Sequence, residues 1–304
     1  KHKPSPGSVD KDAFYNILKF IGLENIINAD EFIYRSKENK LKPKDICITL
    51  DDGNKSQYDI ALPVLENQNI KSFFFIYSSI FDGSPDLLEI YRFFRVNFFK
   101  NIDQFYRFFF KKINKNINKF LEKKTNEINF IKKKFPYYSI NDIRFRITRD
   151  KFLTKKEYTD IMQALMNEKN FNYKDYYDLL FINKKELKNI YNLGHKIGLH
   201  SHTHPTRMSN LNYNNQLQEF KINRNKMSKI LNIKNKQINS ASFPSGSYNN
   251  DTIKIFKKLG IEIAFRNQMF VEGINGLGKI NNSPLEIARQ DHAQILLNMK
   301  LKNY

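Results

Sequence analysis

The 304-residue chain contains one cysteine, Cys47, and no tryptophan. A single thiol excludes an internal disulfide, and a reducing compartment is compatible with that usage. Cys47 lies in Ile46-Cys47-Ile48-Thr49-Leu50, which reads as a strand, so it is expected as a small buried hydrophobe and not as a nucleophile. Long apolar runs are also missing. None approaches the ~20 residues that a membrane-spanning helix needs. The first residues, Lys1-His2-Lys3-Pro4-Ser5-Pro6-Gly7, hold no apolar stretch of the kind that drives secretion. A cytoplasmic or membrane-peripheral location is therefore expected, and a leader removed ahead of this numbering is compatible with it. Acidic residues are scarce: 31 Asp and Glu face 51 Lys and Arg, for a formal charge of +20. Such a balance attracts polyanions. Lys, Asn, Ile, Phe and Tyr are abundant together, however, as an A- and T-rich coding sequence would give, so much of the charge reads as a solvated basic surface. No RNP, zinc-finger or helix-turn-helix pattern stands out, and nucleic acid is not an expected partner.

What is present is an alternation of strands and helices. Phe14, Ile17 and Leu18 share one face of a helical segment near the N-terminus. A strand over 46–50 leads into Asp51-Asp52-Gly53. A helix over 56–68, short or kinked at Pro63, precedes the continuous apolar run Lys71-Ser72-Phe73-Phe74-Phe75-Ile76-Tyr77, which suits a strand buried on both faces. Strand, helix and strand at this spacing make a βαβ unit, hence a parallel sheet or barrel. The rhythm returns after 180. A helix over 184–193 ends at Gly194, a strand over 196–199 follows, and Pro205 is expected to open a helical stretch. A helix over 213–231, a strand over 239–243, a helix over 250–259 stopped by Gly260 and a strand over 261–265 complete the series. The span 88–180 differs, with about 21 Lys and Arg against 11 Asp and Glu and many Phe and Tyr. It reads as a helical, basic insertion that packs its aromatics on the main domain, or as a surface for lipid headgroups or an anionic carrier.

Two polar clusters end apolar strands: Thr49-Leu50-Asp51-Asp52-Gly53 and His200-Ser201-His202-Thr203-His204. Strand ends converge on one rim of a parallel barrel. His200 and His204, four residues apart, can address one ion, and neutral imidazole suits zinc, cobalt or nickel. A carboxylate completes a two-His, one-Asp set with positions left open for water and substrate. Side chains of the adjacent Asp51 and Asp52 diverge in an extended segment, so one can ligate while the other serves as base.

Thr49-Leu50-Asp51-Asp52-Gly53 resembles the first motif of the polysaccharide deacetylase (NodB-homology, carbohydrate esterase family 4) family, commonly Thr-Phe-Asp-Asp-Gly. Gly194-His195-Lys196-Ile197-Gly198-Leu199-His200-Ser201-His202-Thr203-His204 is similar to its second motif. Ser242-Phe243-Pro244-Ser245-Gly246-Ser247-Tyr248-Asn249 resembles a Phe-Pro-x-Gly variant of the third. The resemblance covers about 40–80 and 180–290. It implies a distorted (β/α)7-type barrel, here one domain over 1–304 with the insertion at about 88–180 after the second strand. It implies Asp52, His200 and His204 as ligands of a divalent metal, most often zinc, and Asp51 as the base that deprotonates water. The backbone N–H of Ser245 would stabilise a tetrahedral oxyanion, Ser201 would orient the histidine loop, and His195 would be structural.

The sequence departs from the family in two places. No Arg precedes the third motif, and Arg289, in Ile287-Ala288-Arg289-Gln290, is the candidate substitute. No Leu-x-His segment supplies a general acid, and His292 is the nearest candidate. The implied reaction is removal of an N-acetyl group from an amino sugar of a surface glycan or of its lipid-linked precursor. Members with a long insertion after the second strand resemble enzymes of surface-polysaccharide or lipopolysaccharide assembly. An anionic membrane surface is a further expected partner of the insertion. The rival expectations are a hydrolase of a non-glycan amide on the same fold, and a catalytically silent glycan- or membrane-binding module.

Overall fold

The computed structural model describes residues 2–4, 8–134, 138–267 and 283–302. They form two compact units, one from Val9–Asp86 and Asp178–Tyr304, the other from Leu87–Tyr177 with the chain's first residues.

The first unit is built on five parallel strands that neighbour one another in chain order: β1 (Thr49–Asp51), β2 (Phe73–Ile76), β3 (Lys196–Leu199), β4 (Ser240–Ser242) and β5 (Ile263–Phe265). Isolated parallel bridges add a segment at each edge, Ile26 to Ile46 and Ile287 to Phe265. Parallel neighbours need crossovers, and helices such as Leu62–Asn67, Tyr213–Leu231 and Asn250–Leu259 supply them. The result is a curled parallel sheet, the distorted barrel that the sequence predicted.

β2 explains the apolar run that encodes it, because it is buried on both faces. Phe73 and Phe75 point into a cluster with Phe32, Ile263, Phe265 and Ile287, against which Cys47 also packs. Burial pushes the Cys47 thiol pKa up, as befits an inert core residue. Phe74 faces the other way and meets the His195 ring edge-on, with centroids 5.2 Å apart. Gly198 of β3 lies opposite Phe75. A Cβ there would sit 2.3 Å from the Phe75 ring and 2.7 Å from Ser240 Oγ, so the close approach requires glycine.

Helix Tyr213–Leu231 and helix Asn250–Leu259 keep their predicted bounds, capped by Asn212 and Asn249. The predicted helix over 56–68 divides instead into a π-helical turn, Gln57–Ala61, and the α-helix Leu62–Asn67. Pro63 then sits in a first turn, where a missing N–H costs nothing. Pro205 opens no helix. The loop it follows is already committed to other bonds, and only a 3₁₀ turn, Met208–Asn210, precedes the helix at Tyr213.

The second unit is helical. Its helices include Leu87–Asn97, Ile102–Lys111, Thr125–Lys134, Ile140–Ile147 and Lys155–Glu168. Many of its aromatics pack on one another. Phe109 and Phe105 lie 4.9 and 5.4 Å from Phe145, and Phe94 lies 5.3 Å from Phe99. Asp142, buried among them, accepts from the Tyr106 hydroxyl and the Arg146 guanidinium, both at 2.6 Å. Among the described residues, no helix is long and apolar enough to cross a membrane.

Candidate functional site

The loops after β1, β3 and β4 hold Asp52, His200, His204 and Ser245, and their backbone is strained. Among the described residues, eight non-glycine residues have positive φ, and four of these are asparagines, a residue type that tolerates it well. The other four are Asp52 (80°), Ser201 (65°), His204 (56°) and Ser245 (51°), all in these loops. Left-handed backbone at Asp, Ser and His costs of order 1–3 kcal/mol each and persists where surrounding bonds over-determine it.

Those bonds are visible. The N–H of Asp52 donates to the Phe75 carbonyl at 2.9 Å. The His204 N–H donates to Ser201 Oγ at 3.1 Å. Glu219 accepts from the N–H groups of His202 and Thr203, both at 2.8 Å, and from the Thr203 hydroxyl at 2.7 Å. Asn223 accepts from the His200 N–H at 3.1 Å and donates to the Ile76 carbonyl at 2.9 Å, tying the histidine loop to the end of β2.

Asp52, His200 and His204 converge. One donor atom from each lies within 4.8 Å of the others. Asp52 Oδ1 is 3.2 Å from His200 Nε2 and 3.4 Å from His204 Nε2. The opposite ring nitrogens are engaged elsewhere. His200 Nδ1 lies 3.0 Å from the Ser242 carbonyl, which can only accept, so Nδ1 carries the proton and Nε2 is left with its lone pair. His204 Nδ1 lies 2.8 Å from Asp86 Oδ2, which orients that ring likewise. Two imidazole nitrogens and a carboxylate oxygen facing a common point fit a zinc, cobalt or nickel ion with open positions. Burial alone would raise the Asp52 pKa, but the two imidazoles outweigh it and hold the carboxyl below its ordinary range. For His204, burial works against the proton, yet Asp86 and Asp52 win and push its pKa up.

Asp51 points into a different set of bonds. Arg289 grips both carboxylate oxygens at 2.8 Å in a two-point pair, and its Nη1 also donates to Thr49 Oγ1 at 3.1 Å. Ser242 Oγ donates to Asp51 Oδ2 at 2.9 Å and accepts from Arg289 Nη2 at 2.9 Å. Burial favours the neutral acid, but the Arg289 charge, His200 and these bonds hold the Asp51 pKa far below the carboxylate range. The adjacent aspartates diverge as expected, one toward the histidines and one toward the arginine, but through a left-handed turn at Asp52 and not through extended backbone.

Arg289, the candidate substitute for the absent arginine, is thus paired with Asp51. Ser245 sits in the turn Pro244–Gly246 immediately after β4, with Ser242 three residues earlier joined to both aspartate networks. His292 is not drawn in. It begins the helix His292–Leu301 about half exposed, 3.3 Å from Asp291, with no bond to the Asp–His–His–Arg cluster among the described residues. The proton donor expected there has no support in the geometry. His195 is enclosed. The Ser72 N–H donates to its Nδ1 at 3.0 Å, so its Nε2 carries the proton and donates to Glu66 at 3.0 Å. His202 meets Ser78 Oγ at 2.9 Å. Sequence reasoning missed Asp86, Asn223 and Glu219. Each sits in or beside a helix and reads as an ordinary polar position.

The curled parallel sheet thus carries an Asp–His–His cluster and a separate, arginine-held aspartate at its strand ends. The sequence profile described as polysaccharide deacetylase matches residues 154–264. That match takes in the histidine loop and β4, while Asp51 and Asp52 lie ahead of it and are joined to them by the fold. Over that span the chain is similar to the polysaccharide deacetylase family. No curated protein sequence matches it. Among solved structures it is similar to the Streptococcus pyogenes deacetylase PplD in complex with acetate, at 15% identity and TM-score 0.52, covering 98% of this chain and 92% of that one. IcaB from Ammonifex degensii matches at 12% identity and TM-score 0.52 over 95% and 86% of the two chains. The BpsB deacetylase domain from Bordetella bronchiseptica matches at 14% identity and TM-score 0.51 over 95% and 88%. At such identities the likeness is one of fold.

Proposed function

We propose that this chain removes the N-acetyl group from an amino sugar of a surface glycan or its precursor, with a divalent metal, most readily zinc, held by Asp52, His200 and His204. The observation that carries this reading is the division of labour between neighbours: Asp52 faces two oriented imidazoles, while Asp51 is kept apart by Arg289 and Ser242. When bound, the cation supplies Lewis acidity at the acetamide carbonyl and makes water a better nucleophile.

The chain's own groups do the rest. Asp51 takes a proton from the attacking water as the new C–O bond forms at the acetamide carbon. Arg289, itself held by Thr49 Oγ1, fixes that carboxylate, and Ser242 Oγ donates to its Oδ2. The Ser245 N–H donates to the oxyanion that develops on the tetrahedral carbon, a contribution of about 3–4 kcal/mol where such donors have been removed elsewhere. When the C–N bond breaks, Asp51 returns its proton to the departing amine, which gives acetate and a free amino sugar. This role for Asp51 needs no second acid and fits the exposed position of His292. The silent-module reading rested on the missing arginine and the missing terminal histidine, and Arg289 beside Asp51 speaks against the first of these grounds.

The test is acetate release from N-acetylglucosamine oligomers and from nucleotide sugars, abolished by chelation and restored by zinc or cobalt. Release from neither substrate class under metal-replete conditions contradicts the proposal.

A second reading concerns the helical unit. Helix Thr125–Lys134 exposes Phe130 (66% accessible) close to Lys133, a combination suited to an anionic membrane surface or a phosphate-bearing lipid-linked sugar.

A further inference from the structure

The two histidines of the Asp–His–His cluster are backed differently. His200 Nδ1 faces a neutral backbone carbonyl, whereas His204 Nδ1 faces a carboxylate, Asp86 Oδ2, at 2.8 Å. The position of Asp86 is itself fixed. Its N–H donates to the Tyr77 hydroxyl at 3.1 Å, and the Tyr77 ring packs 5.3 Å from the His204 ring. Tyr77 is buried and directly follows β2. The main chain of the histidine loop is held by Ser201, Glu219 and the N–H groups of Ser78 and Ser79. None of these sets the ring of His204. Among the described residues its ring nitrogens pair only with Asp52, through Nε2, and with Asp86, through Nδ1.

From this we infer that Asp86 is a positioning residue for the metal centre: it selects the Nδ1–H tautomer of His204, aims Nε2 at the position shared with Asp52, and makes that nitrogen a stronger donor. A neutral imidazole has one donor and one acceptor nitrogen, and the partner of one decides the state of the other. A carboxylate in that place also raises ligand basicity, and loss of such a partner typically weakens metal affinity by about 10- to 100-fold. The inference rests on the metal site proposed above and deepens it. A nearby carboxylate serves as control. Asp82 lies 3.9 Å from His202 Nε2 and pairs with Lys226, but has no bond to either proposed ligand.

The experiment measures the zinc dissociation constant of the whole chain by competition with a chromophoric chelator, and the visible spectrum of its cobalt form. The set comprises wild type, Asp86→Ala, Asp86→Asn and Asp82→Ala. Asp86→Ala is expected to weaken zinc binding by about 10- to 100-fold and to change the cobalt spectrum. Asp86→Asn, whose amide oxygen still accepts from Nδ1–H, keeps the orientation and loses the charge, so its loss is smaller. Asp82→Ala matches wild type. The metal-free thermal midpoints show whether each variant folds, and if Asp86→Ala does not, the near-isosteric Asn variant decides. Wild-type affinity in both Asp86 variants overturns the positioning role, as does an equal loss in Asp82→Ala. A wild-type chain that takes up no metal overturns the metal site itself.

Discussion

At the residue scale, the account turns on Arg289. A buried carboxylate held by two parallel guanidinium bonds is fixed in direction as well as in charge. Arg289→Ala should lower the rate of acetate release by about 10²-fold or more, within the range of positioned acid–base groups, while zinc affinity stays near wild type. Equal losses in both would place Arg289 among the residues that hold the metal. His195 gives a pH prediction. Burial lowers its pKa below the ordinary 6.5 despite Glu66, so the unfolded chain binds the proton more readily. Its contribution is complete above about 6.5 and is lost as pH falls through that value toward the lowered folded one. Urea unfolding between pH 8 and pH 5 should show a smaller fall in stability for His195→Gln than for wild type. An identical pH profile would contradict it.

At the element scale, β3 depends on Gly198. Gly198→Ala would press a methyl group into the Phe75 ring and Ser240 Oγ, both parts of neighbouring strands. Overpacking of this kind costs about 1–3 kcal/mol, read as a lower urea midpoint with an unchanged slope. An unaffected midpoint would mean that the strands separate more easily than the described packing allows. Much of this level was legible in the sequence. Strand 196–199, helix 213–231 and helix 250–259 were bounded by strong local signals: an apolar run, asparagine caps, and a glycine that turns left-handed at Gly260. Asp51, Asp52, His200 and His204 could be read because each pair is contiguous with a short apolar strand. Arg289 could be placed only by resemblance. Asp86 could not be read at all, because Pro85-Asp86-Leu87 before a helix looks like a cap. Its bond to His204 spans 118 residues, and no local pattern encodes that. The ring-on-ring packing inside the insertion was not legible either: a wide aromatic face states that rings are buried, not against what.

At the scale of the whole molecule, two compact units carry separate expectations. The unit built on the parallel sheet should gain stability from the proposed ion. A ligand present at 1,000 times its dissociation constant adds about 4 kcal/mol to a folded state that alone binds it, so chelation should lower the thermal midpoint, and Asp52→Ala should abolish that difference. The helical unit, with Phe130 exposed among lysines, should bind anionic vesicles in a salt-sensitive way. Co-sedimentation with phosphatidylglycerol vesicles should fall as salt rises and with Phe130→Ser. Equal recovery with neutral vesicles would remove the membrane surface from the account.

The central claim is that adjacent aspartates divide base and ligand between them. Metal content and acetate release measured together on Asp51→Asn and Asp52→Ala test it most directly. The account predicts that Asp51→Asn keeps one ion per chain and loses about 10²- to 10⁴-fold in rate, and that Asp52→Ala loses the ion and with it the activity. An Asp51→Asn chain as active as wild type, or an Asp52→Ala chain that still binds metal as tightly, would contradict it.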